Sequence, residues 1–308
     1  MTAPYAQLEG WTPIAFAGGP EPTLEWADLR GRRFDDGFFR WTVEAWRRRG
    51  PARTVRTGLG ALAALDGAPS LDPALIIAHS ARCGSTLLAR SLGAIEGTVA
   101  VCEPELLWYV AADSLNGAGG APAHETLRRV VRALGRVRFG DERRLVLKLS
   151  SPMTPFLPLF RRAFPAAPVI WLQRRPAEIV ASELRAPMPW MVKTAAGEPA
   201  VLQRLILHAL TVTFLAASQH VDDETLVIDY ADLPAAAASL AAPRMGVTPS
   251  PDDLVRMRTL CGLDAKSGRP FERRVSPPLP QDTAAIVAAS LDPLYAALDR
   301  RRAAQAAA

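Results

Sequence analysis

The short basic loop Ser80-Ala81-Arg82-Cys83-Gly84-Ser85-Thr86 carries the clearest chemistry in this chain. The apolar run Ala74–His79 before it reads as a buried strand, and the segment Leu87–Leu92 after it reads as a helix. A strand, a tight loop with glycine and a helix N-terminus make an anion cradle. Backbone N–H groups converge there, and the helix dipole adds positive potential. The expected ligand is a phosphate or a sulfate. An ATP-type P-loop would place Lys directly after its last glycine; here Ser85 follows Gly84, and the basic residue, Arg82, precedes it. A second cation-and-hydroxyl pair lies downstream. Pro168–Gln173 reads as another buried strand, Arg174 ends it, Pro176 suits the first turn of a helix, and Ser182 falls on the second turn. A guanidinium fork matches phosphate oxygens, and a hydroxyl adds a neutral donor. Taken singly, each segment also fits an ordinary strand–turn–helix corner or a solvated helix start. The two together, in this order, argue for one ligand site.

A strand, then basic-x-Gly-Ser-Thr, then a later strand with Arg-x-Pro and a downstream Ser, resembles the sulfotransferase family. Those enzymes bind 3′-phosphoadenosine-5′-phosphosulfate (PAPS) on a P-loop nucleotide fold. The resemblance implies that Arg82, Cys83, Gly84, Ser85 and Thr86 cradle the 5′-phosphosulfate. Cys83 would act through its backbone, and Arg82 would reach the bridging oxygen and the 5′-phosphate. It also implies that Arg174 and Ser182 hold the 3′-phosphate. Thr225–Leu233 resembles the family's late strand and its Tyr-x-Asp-Leu turn, a structural marker. Lys266, Ser267 and Arg269 stand where the family carries a basic loop over the nucleotide; an exposed charged loop is the plain alternative.

Lys148 ends the segment Arg144–Lys148 and resembles the strand-end Lys that contacts the sulfuryl group in cytosolic sulfotransferases. The chain departs from the family two residues later. Ser150 stands where a catalytic His is usual, and serine has no useful basicity at neutral pH. Two other groups are then open as the base. Glu103 resembles the catalytic Glu of bacterial glycolipid and heparan-type enzymes, and burial would raise its pKa towards neutrality; it also suits a plain helix start before Pro104. His79, at the end of the first core strand, is the other. The implied function is transfer of a sulfuryl group from PAPS to a hydroxyl or amine of a small-molecule or glycolipid-type acceptor, leaving adenosine 3′,5′-bisphosphate. The alternatives are a nucleotide kinase or NTPase of the P-loop fold, and a non-catalytic nucleotide-binding relative.

These residues need a scaffold that gathers strand ends. Between residues 74 and 173 apolar strand-like runs alternate with helix-like ones, which argues for an α/β three-layer fold of P-loop type with a central, mostly parallel sheet. Ligands then sit at the C-terminal ends of the strands, where each motif lies. Residues 1–73 read as an aromatic-rich N-terminal extension packed on a domain spanning 74–308. Phe38–Trp46 is expected as an amphipathic helix with Phe38, Trp41, Ala45 and Trp46 on one side, a packing face or else a lid over the acceptor. Residues 186–199 read as a Pro- and Met-bearing interruption, 200–219 as a long helix, and 281–302 as one C-terminal helix.

A chain of 308 residues with net charge +5 suits an acidic ligand, and its arginines form no block of the kind that marks a nucleic-acid arm. Cys83, Cys102 and Cys261 show no metal-ligand spacing, and three free thiols fit a reducing, cytoplasmic setting. No signal-like start and no unbroken apolar run of about 20 residues is seen, so membrane insertion is not expected. A homodimer is left open.

Overall fold

The computed structural model describes residues 8, 10–50, 53–115, 122–264, 268–270 and 277–307. Five short apolar runs form the central sheet: β4 (Pro73–His79), β5 (Thr98–Cys102), β6 (Arg144–Lys148), β7 (Val169–Gln173) and β8 (Leu226–Asp229). Their order is β5-β6-β4-β7-β8, and every neighbouring pair is parallel. Such strands are buried on both faces, which is why they read as continuous hydrophobic runs. Alternate residues go to opposite faces: Ile76, Val101, Leu147 and Trp171 join one core, whereas Ile77, Cys102, Val146 and Ile170 join the other.

From β4 the chain crosses to β5 at one edge, then later to β7 on the other side. That reversal opens a crevice beyond the C-terminal end of β4. The register sets Lys148 beside Cys102 on β5 and Ile77 on β4, so β5 and β6 end level and β4 runs two residues further to His79.

The N-terminal segment adds an antiparallel sheet of β1 (Thr12–Ala17), β2 (Thr23–Ala27) and β3 (Thr54–Gly58), in that order. Its Trp11, Leu24 and Trp26 belong to the same buried cluster as Val101, Leu147 and Trp171. The Trp26 indole N–H donates to Thr57 Oγ1 at 2.8 Å, which satisfies the one polar atom of a fully buried ring.

Several local expectations are corrected. The helix Phe39–Arg47 buries Phe39, Thr42 and Val43 rather than Trp41, Ala45 and Trp46. The large indoles lie at the flanks of the buried face, and the smaller Thr and Val fit beneath. Residues 186–199 contain a helix, Pro189–Ala195, with proline at its first position. The C-terminal segment is two helices, Gln281–Ser290 and Asp292–Ala307, with Pro293 opening the second. The long helix Pro199–His220 contains an 18-residue stretch of mean hydropathy 1.6, long and apolar enough to cross a membrane, although Gln203, Arg204 and His208 interrupt the helix. Here it packs on the sheet, with Phe214 edge-on to Trp171 at 6.2 Å between ring centres.

Candidate functional site

The loop after β4 is built from unusual backbone. Ala81, Arg82 and Gly84 have φ of 66°, 46° and 83°. Successive left-handed residues turn their N–H groups inward and form a concave nest for an anion. Gly84 is required twice over: its φ is positive, and an added Cβ would lie 2.8 Å from Leu233 Cδ1 and 3.0 Å from Tyr230 Cδ2. The Tyr230–Leu233 turn thus props the loop from behind. The helix Ser85–Gly93 starts immediately afterwards without a side-chain cap, so its first-turn N–H groups remain available to an anion. Cys83 is fully buried beneath the loop, which leaves its backbone as the usable part.

At one end of this cradle stand Arg82, Arg174 and Ser182. Arg174 directly follows β7 and donates from Nη1 to the Arg82 carbonyl at 3.0 Å. Its Nε donates to Glu178 Oε2 at 2.8 Å, and its guanidinium lies 4.3 Å from the centre of the Tyr230 ring. The Arg82 Nε donates to Ser182 Oγ at 3.0 Å and lies 3.7 Å from Glu183 Oε1. Arg82 thus shares this end of the cradle with Arg174 and Ser182. Its left-handed backbone turns the side chain towards the helix Pro176–Arg185, into the company of the two residues read as 3′-phosphate donors.

At the other end stand Lys148, Glu103 and His79. Lys148 is fully buried at the tip of β6, its ammonium paired with Glu103 Oε1. Glu103 follows β5 with φ of 51°, ahead of a proline. A non-glycine residue held there costs on the order of 1–3 kcal/mol. Its N–H donates to the Lys148 carbonyl at 2.8 Å, which helps hold the strained turn. The Glu103 carboxyl is not raised towards neutrality as expected. Burial pushes it up, but the adjacent Lys148 charge and the His79 contact outweigh burial and hold it at about 2. His79 Nδ1 accepts from the Ala81 N–H at 3.1 Å, so the imidazole carries its proton on Nε2, 3.5 Å from Glu103 Oε1.

Lys266 and Ser267 lie outside the described residues. Arg269 is exposed in a turn after the helix Pro251–Cys261, where its carbonyl accepts from Asp264 N–H at 2.7 Å. Three participants were not foreseen. Glu178 and Glu183 sit on the helix that carries Ser182, and helical spacing could have found them. Phe38, whose ring centre lies 5.4 Å from Lys148 Nζ, comes from the N-terminal segment, and no local signal brings it there.

The α/β fold with its five-stranded parallel sheet is similar to that of a solved bacterial sulfotransferase. A sulfotransferase of Mycobacterium avium, STF9, superposes with a TM-score of 0.50 over 73% of this chain and 77% of its own, at 14% identity. A sulfotransferase of Alicyclobacillus acidocaldarius (TM-score 0.46, 15% identity, 75% of this chain and 96% of that one) and the sulfotransferase domain of the curacin biosynthetic pathway (0.43, 16%, 71% and 98%) are also similar. No protein-family model and no curated protein sequence matches the chain.

Proposed function

We propose that this protein is a sulfotransferase that moves a sulfuryl group from PAPS to a hydroxyl or amine of a small-molecule or glycolipid-type acceptor. The observation that carries the reading is the two-ended cradle: Arg82, Arg174 and Ser182 at one end, Lys148, Glu103 and His79 at the other, joined by the left-handed loop. The donor supplies an activated sulfuryl group when bound. Arg174, Arg82 and Ser182 would hold its 3′-phosphate, with Glu178 and Glu183 keeping the arginines oriented until it arrives. The N–H groups of residues 82–86 would hold the 5′ end.

Lys148 would turn from Glu103 to the transferring group and stabilise its charge in a site shielded from water. That movement removes the cation which depresses the Glu103 carboxyl, so the base strengthens as the donor is engaged. Glu103 would take the acceptor proton as the acceptor oxygen or nitrogen bonds to sulfur and the sulfur–oxygen bond to the 5′-phosphate breaks. His79, already protonated at Nε2 and facing Glu103, would orient that carboxylate rather than act as base.

The kinase alternative needs a strand-end Asp for magnesium near the loop. Asp229 ends β8, but its carboxylate accepts from Ala231 N–H at 2.8 Å and from the Tyr295 hydroxyl at 2.9 Å. Transfer from labelled PAPS across a panel of phenols, alcohols, amines and glycolipids tests the proposal. Product is expected with at least one acceptor class and loss of it in Glu103→Gln. Transfer that survives Glu103→Gln would remove the base assignment, and phosphoryl transfer from ATP would replace the reaction class.

A further inference from the structure

A second polar site lies away from the strand C-termini. A cavity of about 190 Å³ opens beside the start of edge strand β5, between the core and residues 33–36 of the N-terminal segment. An engineered apolar cavity of about 150 Å³ is large enough for benzene, so this one admits a ligand of that order. Its lining mixes charged and polar groups with apolar ones, where the engineered one was wholly apolar.

Arg138 lies on this wall with its guanidinium carbon 3.6 Å from the centre of the Phe34 ring. Its Nε and Nη1 are buried and have no hydrogen-bond partner among the described residues. Burial lowers its pKa to about 10, which still leaves it a cation at neutral pH. Thr98 Oγ1, on the same wall, is likewise buried and without a partner.

Of the neighbouring acids, Glu142 and Asp35 lie close enough to favour the Arg138 cation, yet no carboxylate among the described residues accepts from its Nε or Nη1. Glu142 turns its carboxylate onto the N–H groups of Phe139 and Gly140 at 2.9 and 3.0 Å. Asp36 accepts from the Thr42 hydroxyl at 2.7 Å. Asp35 also borders the cavity, and Arg33 beside it is spent on Asp141, with contacts of 3.1 and 2.7 Å. A buried guanidinium with unmet N–H groups is costly, and a planar oxyanion is the chemistry that satisfies it.

We propose that this cavity is a binding site for a small oxyanion, held by Arg138 and Thr98 against the Phe34 ring. It is separate from the donor cradle and does not depend on the sulfotransferase reading. The carboxylate of a small aromatic acid and inorganic phosphate share this chemistry.

Calorimetric titration of the full chain with benzoate and, separately, with inorganic phosphate, at constant ionic strength, tests the site and tells the two classes apart. Binding of at least one of the two anions is expected to persist in Arg174→Met, whose donor cradle is weakened, and that remaining binding reports on this site. Arg138→Met is expected to weaken that binding by about tenfold or more, the scale of a charge-assisted contact. Thr98→Val keeps the strand's shape and is expected to weaken it by about threefold. The proposal is overturned if neither anion binds wild type at tens of millimolar, or if Arg138→Met titrates as wild type does. Should Arg138→Met fail to fold, unchanged binding in Thr98→Val overturns it equally.

Discussion

The two ends of the cradle solve the same electrostatic problem in different ways. At the Lys148 end every charge is deep. Lys148 is fully buried, His79 nearly so and Glu103 17% exposed, and the three compensate one another across the tips of β4, β5 and β6. At the Arg174 end the cations are shallower than Lys148; Glu183 beside Arg82 is buried, but the Glu178 side chain that holds Arg174 is 43% exposed. A half-exposed carboxylate can yield its arginine to a phosphate and return to water at little cost. A buried pair has no such refuge, and breaking it leaves an uncompensated charge. The exchangeable end is therefore suited to binding, and the locked end to a reaction in which one lysine moves between two partners.

The largest expected effect is on turnover at the locked end. Lys148→Met should cut transfer by about 10³-fold while leaving affinity for adenosine 3′,5′-bisphosphate within a few-fold, read from kcat and calorimetry together. Glu103→Gln should cost about 10²–10⁴ in kcat, the scale of a lost general base. It should also destabilise the fold, because Lys148 is left buried beside a neutral amide. The pH dependence follows from the same pair. The folded Glu103 carboxyl sits at about 2, below its unfolded value of 4.5. Its contribution to stability is therefore complete above that unfolded value and lost as pH falls through the folded one. The stability gap between wild type and Glu103→Gln should accordingly shrink in denaturant titrations taken down through that window.

At the exchangeable end the effects are smaller and fall on binding. Arg174→Ala should weaken adenosine 3′,5′-bisphosphate by about tenfold to a hundredfold, with Ser182→Ala nearer threefold to tenfold. If Arg174→Ala instead abolished turnover at saturating donor, the division of labour between the ends would be wrong. Gly84→Ala sharpens the comparison from the hinge between them. Its positive φ and the approach of Leu233 predict a loss of about 1–3 kcal/mol in unfolding free energy.

The same contrast separates what the amino-acid sequence reveals from what it hides. The central strands are legible because burial on both faces makes them continuous apolar runs, and the two anion motifs are legible because each is a local pattern at a strand end. Side-chain direction is not. Arg82 faces Ser182 because of one left-handed φ, and nothing in the residue types announces that in a non-glycine. The depressed Glu103 carboxyl arises from Lys148, a partner on another strand brought level only by sheet register. Strand β3 leaves no mark in the sequence, because its burial pattern alternates between exposed and half-buried with no apolar run. Phe38 over Lys148 depends on how the N-terminal sheet docks, a contact across the whole core.

The central claim is that the cradle holds a 3′-phosphorylated nucleotide at the ends of β4 and β7. Calorimetry with adenosine 3′,5′-bisphosphate and, in parallel, with Mg-ATP tests it most directly. The account predicts micromolar or tighter binding of the bisphosphate without magnesium, weakened by Arg174→Ala, and much weaker binding of Mg-ATP. Tight binding of Mg-ATP with none of the bisphosphate would contradict it.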